Sequence, residues 1–220
     1  MRLFAVLVLL WLPLSSILAQ NDEVDQVQAA FQGYRAAILN DRGEEAVEYL
    51  DRRNFTYYDA ILDHIRVSDS TTVAELRFIE RFMVLRMRQV NTQEEITRFT
   101  DSTFIVYAIN EGMIGKDGVS NLQLGEIEIT DDFAAAAVIF RGEKTPLKFH
   151  FYREAGEWGL DLTHTMTIGQ VAIRQAITDS GMVEREFLYL LLEVLSGKAV
   201  DETVIWRPTL AKLEKEKKSE

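Results

Sequence analysis

From residue 122 to residue 166, apolar and polar positions alternate with a period of two in runs separated by turn-forming residues. Leu122, Leu124, Ile127 and Ile129 are spaced around Gly125, Glu126 and Glu128, and Thr130-Asp131-Asp132 turns the chain into FAAAAVIF at 133–140. Arg141-Gly142-Glu143-Lys144 opens 146–152, where Leu147, Phe149 and Phe151 alternate with Lys148, His150 and Tyr152. Glu154-Ala155-Gly156-Glu157 opens 158–162. Period two between turn residues predicts an antiparallel meander. The second strand is apolar on both faces, so a layer is expected on each side of it. N-terminal helices supply one layer. The other falls to residues 168–195 folded back over the sheet, with a second subunit, a homodimer, as the alternative cover.

Upstream the period lengthens to that of a helix. Asn21 is placed to cap a helix that aligns Val24, Val27, Phe31, Tyr34 and Ile38, with Asp22 and Glu23 in its first turn. A short helix through Ala46 and Leu50 follows, then one over 54–66 that aligns Phe55, Tyr58, Leu62 and Ile65. Thr72 and Glu75 have capping-box spacing, which predicts one long helix running to Val90. Its two apolar faces leave Arg77, Arg81 and Arg88 on one stripe and Arg86 between the faces. Long cationic side chains carry their heads to water, so the stripe reads as solvated. Arg86 reads as partly buried and paired with a carboxylate, which also makes it the candidate ligand-binding cation. A helix capped by Asp101 or Ser102 precedes the sheet, and two over 168–178 and 184–195 follow it. The last is apolar almost all round yet too short for a bilayer, which marks a buried or interface helix.

The opening MRLFAVLVLLWLPLSSILAQ has an early positive charge at Arg2, an apolar run and a small residue at Ala19. That is the pattern of a secretory leader cut after Ala19, and it predicts a periplasmic or extracellular protein. The expected organisation is a leader at 1–19, a helix-plus-meander domain at 20–166, a helical extension on the same core at 167–209, and a charged tail at 210–220. The fold class expected is α+β, with N-terminal helices packed on a curved antiparallel meander and a C-terminal helical extension. The formal net charge is -11, and -12 once Arg2 leaves with the leader. Such an acidic chain repels nucleic acid and anionic lipid as general partners. No membrane span is expected in the mature chain. There is no cysteine, so disulfides, thiolate metal sites and cysteine nucleophiles are excluded.

GEEAVEYL at 43–50, ITDDFAAAAV at 129–138 and REAGEWGLDL at 153–162 make residues 24–162 resemble the nuclear-transport-factor-2-like (cystatin-like) superfamily. The resemblance implies a cone in which a curved sheet wraps helices and often leaves a pocket. Members include ketosteroid isomerase and dehydratase enzymes, and also binding and dimerisation modules without chemistry. Fold membership alone decides nothing between them.

By the same resemblance, an enzyme would set Asp or His with Tyr inside the apolar cone, a proton acceptor beside a neutral donor for a developing enolate. The candidates are Tyr58, Asp63 and His64, with Tyr57 beside them and Asp161 and His164 around the last strand. Alternation turns Asp161 and His150 away from the helices. The three histidines are scattered, so no metal or other cofactor is expected. Neither a phosphate loop nor a Gly-x-Ser-x-Gly elbow occurs. Asn54-Phe55-Thr56 is a formal glycosylation sequon. The reading that follows is an exported, non-catalytic α+β domain binding a partner protein or a small apolar ligand. A pocket enzyme of the isomerase or dehydratase type and a structural envelope component are the alternatives.

Overall fold

The computed structural model describes residues 14–111 and 116–210; most of the predicted leader and the charged tail lie outside the described residues. The fold is α+β: helices, then one open four-stranded antiparallel sheet, then further helices. Helix α1, Leu14–Leu39, buries Val27, Phe31, Tyr34 and Ile38 on the predicted face. It does not begin at Asn21 but runs straight through that position, and through the predicted cleavage point after Ala19. Helix α2, Gly43–Val47, leads to α3, Arg52–Val67, whose first turn is capped by Asp51 Oδ1 accepting from the Arg53 amide at 3.0 Å.

The predicted long helix is two. Helix α4, Ser70–Glu75, is capped by Asp69, not Thr72, through a 2.8 Å bond from the Thr72 amide. Leu76 and Arg77 are extended (ψ 151° and 155°), and α5, Phe78–Val90, restarts with Glu80 Oε2 accepting from the Arg77 amide at 3.1 Å. Local capping chemistry on either side of Leu76 competes with continuation and wins. Helix α5 is then central: its buried residues lie on nearly every azimuth, including Arg86 and Arg88. Helices α6, Gln93–Arg98, and α7, Asp101–Asn110, follow, α7 capped by Thr100 instead of Asp101 or Ser102. The short α8, Lys116–Ser120, precedes the sheet, and Arg35 of α1 holds its end by donating to the carbonyls of Val119 (3.2 Å) and Ser120 (2.7 Å).

The meander is as the alternation predicts. Strands β1, Leu122–Thr130, β2, Phe133–Phe140, β3, Glu143–Glu154, and β4, Glu157–Asp161, pair in sequence order. Ala155 (φ 52°) and Gly156 (φ 90°) make the two-residue loop between Glu154 and Glu157, whose left-handed pair matches the twist of the strands. Register breaks at 124–127 and 137–139 supply the curvature. The inner face, with Ala134, Ala136, Phe149, Phe151 and Leu160, closes on α1, where the Phe31 and Phe149 rings lie 5.7 Å apart.

The C-terminal helices overturn the expected cover of the sheet. Helix α9, Thr163–Ser180, is 18 residues long and carries the chain roughly 27 Å away from β4. Helices α10, Glu184–Ser196, and α11, Glu202–Ile205, pack on α5. Leu188 and Leu192 bury there, and Phe187 meets Phe78 at 6.1 Å between ring centroids. The outer sheet face stays open to solvent where Lys148 pairs with Glu128 at 2.8 Å. Leu190, Val194 and Leu195, on the far side of α10, are exposed. Among the described residues no helix is long and apolar enough to cross a membrane.

Candidate functional site

The three residues proposed from the sequence as acid and base do not converge. Tyr58 is sealed in the core, edge-on to Tyr57 and Phe104 at 5.4 and 5.5 Å, and burial pushes its phenol up to about 12. Asp63 points to solvent. His64 sits near the end of α3, with Nδ1 2.9 Å from the Ser68 hydroxyl. Arg86 is buried, as expected, but no carboxylate pairs with it among the described residues, and its Nη1 has no hydrogen-bond partner. On the arginine stripe Arg77 is exposed, as expected, Arg81 is mostly covered, and Arg88, on the side of α5 opposite Arg86, is buried. Arg88 is 4% exposed and donates to four carbonyls: Ile65 (2.9 Å), His64 (2.7 Å), Ser68 (2.7 Å) and Ile205 (3.3 Å). It closes the C-terminus of α3 and ties α11 to it, a role in which a cation beside a helix C-terminus is favoured.

Histidines 150 and 164 come together although the sequence scatters them. His150 projects from the outer face of β3, as alternation predicts, and its ring stacks on that of His164 at the start of α9. Asp161, its cross-strand neighbour, is buried and accepts from the amide and hydroxyl of Thr163 at 2.8 and 2.6 Å. Phe133 meets His150 edge-on and packs on Tyr152 in turn, and the Arg53 guanidinium lies 3.4 Å over the Tyr152 ring. Among the described residues no cluster of three or more histidine or acidic side chains is placed to hold a metal ion.

A concavity of about 680 Å³ lies elsewhere, between α1, residues 48–52 and the β3–β4 hairpin. The edge strand β4 forms one wall. At Leu160 that edge is already paired: its amide donates to the Tyr49 carbonyl at 2.8 Å and its carbonyl accepts from the Asp51 amide at 3.0 Å. Only glycine at 159 permits this approach, because a Cβ there would sit 2.9 Å from the Asp51 backbone. Asn54, 0% exposed, clamps the junction, donating to Leu160 and Asp51 carbonyls at 2.8 Å each and accepting from the Leu162 amide at 3.0 Å. The sequon asparagine is therefore a structural clip.

Backbone groups alternate in direction along a strand, so the amide and carbonyl of Trp158 point the same way as those of Leu160, away from β3. The Arg153 amide, opposite Trp158, bonds instead to the Asp132 carbonyl at 2.9 Å, which agrees with that parity. No backbone partner meets the Trp158 pair from the groove side among the described residues. Glu48, Glu154 and Glu157 ring the groove, with Arg52 paired to Glu154 at 2.9 Å. The closing GEWGL alternation places Trp158 in a strand, but nothing local in it says that this strand is an edge or that α1 stands back from it.

No family model, no curated protein and no solved structure matches this chain.

Proposed function

We propose that this chain is an exported partner-binding domain that takes an extended segment of another polypeptide along the free end of β4. The observation that carries the reading is the outward amide and carbonyl of Trp158, left facing a groove beside a rung that residues 49–51 already complete. A polypeptide backbone is the ligand chemistry that offers an acceptor and a donor at strand spacing, and strand addition uses just those groups. Each such bond contributes about 0.5–1.5 kcal/mol net, so side-chain contacts against Tyr49 and the α1 wall must supply the rest. Three carboxylates against one arginine at the rim favour a neutral or basic segment. The resemblance to the nuclear-transport-factor-2-like superfamily, which includes binding modules, supports the same reading, as does the dispersal of Tyr58, Asp63 and His64. The leader pattern at 1–19 supports export.

The test is amide-resolved NMR of the purified chain titrated with the capped peptide acetyl-Lys-Val-Lys-Val-Lys-amide. Shifts centred on Trp158 and Gly159, lost when the central residue of the peptide is N-methylated, are the expected result. Equal binding of the N-methylated peptide, or shifts confined to the outer face at Lys148 and His150, overturns strand addition.

A further inference from the structure

A second concavity, of about 230 Å³, lies where α9 crosses the break between α4 and α5. It goes beyond the peptide groove and is independent of it. Because the chain is extended at Leu76 and Arg77, the two arginines that open α5, Arg77 and Arg81, reach the same cleft as Arg174 of α9. Arg77 is held by Glu80, and Arg81 by Glu184 and by the Ala74 carbonyl at 3.0 Å. Three guanidinium groups against two carboxylates leave one positive charge in excess, in a protein whose net charge is -11.

Two polar groups beside the cleft have no partner among the described residues. Gln170 is 8% exposed and lines the cleft, and no hydrogen bond engages its amide among the described residues. Arg81 Nε is buried and likewise unpartnered. A buried donor left unpaired, as Arg81 Nε is here, costs about 1–3 kcal/mol, while the unengaged Gln170 amide, not sealed from solvent, is free to meet a ligand. Leu76 and Ile173 supply the apolar wall beside them.

From these groups we infer that the cleft binds a small aliphatic monocarboxylate. The carboxylate accepts from Arg174 and the Gln170 amide, beside the Arg81 guanidinium, and the short hydrocarbon lies on Leu76 and Ile173. One excess positive charge suits a monoanion over a dianionic phosphate, and the planar fork of arginine suits a carboxylate. The volume admits a chain of hexanoate size and excludes long fatty acids.

The experiment is calorimetric titration of the full chain with hexanoate, hexanol and inorganic phosphate, alongside Arg174→Ala and Gln170→Leu. Arg174 is exposed, so its variant keeps the wild-type melting temperature. Hexanoate is expected to bind with a dissociation constant of about 1 mM or below, at least tenfold tighter than either hexanol or phosphate, and to weaken roughly tenfold in each variant. No heat from hexanoate at about 10 mM, hexanol or phosphate binding as well as hexanoate, or undiminished binding to a folded Arg174→Ala each overturns the assignment.

Discussion

The imidazole of His150, on β3, stacks on that of His164, at the start of α9, with ring centroids 3.8 Å apart and planes 20° apart. Burial first, and the His164 ring second, hold His150 below the ordinary histidine range; Lys148 pushes the same way and Asp161 opposes. The charged side chains acting on His150 besides the His164 ring are therefore Asp161 and Lys148, both from the sheet.

This relationship fixes the sign of an acid response. A histidine whose folded value is depressed binds more protons unfolded than folded below about pH 6.5, so it removes stability as pH falls through that value. The melting temperature should drop between neutral pH and about pH 5, and His150→Gln should flatten that limb. A variant with the unchanged acid slope would show that the stack does not titrate with folding.

Arg88 and Arg86 should respond in opposite senses. Arg88→Met removes four donated bonds, three to carbonyls at the α3 terminus and one to α11, and is expected to cost about 3 kcal/mol or more. Arg86→Met removes a buried cation that no carboxylate pairs with among the described residues, and is expected to melt at or above the wild-type temperature. Thermal denaturation of the two variants checks both.

Asn54 is expected to carry no glycan in the folded chain, since its amide is fully buried and both of its polar atoms are engaged. Asn54→Ala should destabilise by about 1–3 kcal/mol, because the Leu162 amide loses its acceptor and the Leu160 and Asp51 carbonyls each lose one of two donors. Intact mass from a glycosylating host and chemical denaturation are the two measurements.

Export predicts a mature chain beginning at Gln20. Because α1 runs unbroken from Leu14, processing there trims a helix end and leaves the face from Val27 onward intact. Mass spectrometry of the secreted protein reads the start directly; a chain beginning at Met1 would remove the leader assignment.

The sequence alone determines the meander. Alternation and two-residue turns are local properties, so Phe149 inward, His150 outward and the hairpin at Ala155-Gly156 follow from residues a few positions apart. It determines the buried stripe of α1 and the burial of Arg86 for the same reason. Capping is local too, yet Asp69 and Glu80 outcompete the Thr72–Glu75 spacing, and that contest shows only when both helix ends are placed. Tertiary structure decided the rest. Whether α10 covers the sheet or α5 depends on where the 18 residues of α9 carry it, since its apolar residues fit either surface. The Asn54 clip joins groups 106 positions apart, and Arg88 reaches α11 across 117. The groove at Trp158 exists because β4 is the edge of the sheet and one rung of that edge is filled by residues 49–51. These are relations between distant segments, set by burying one shared core, and no period or spacing within a segment encodes them.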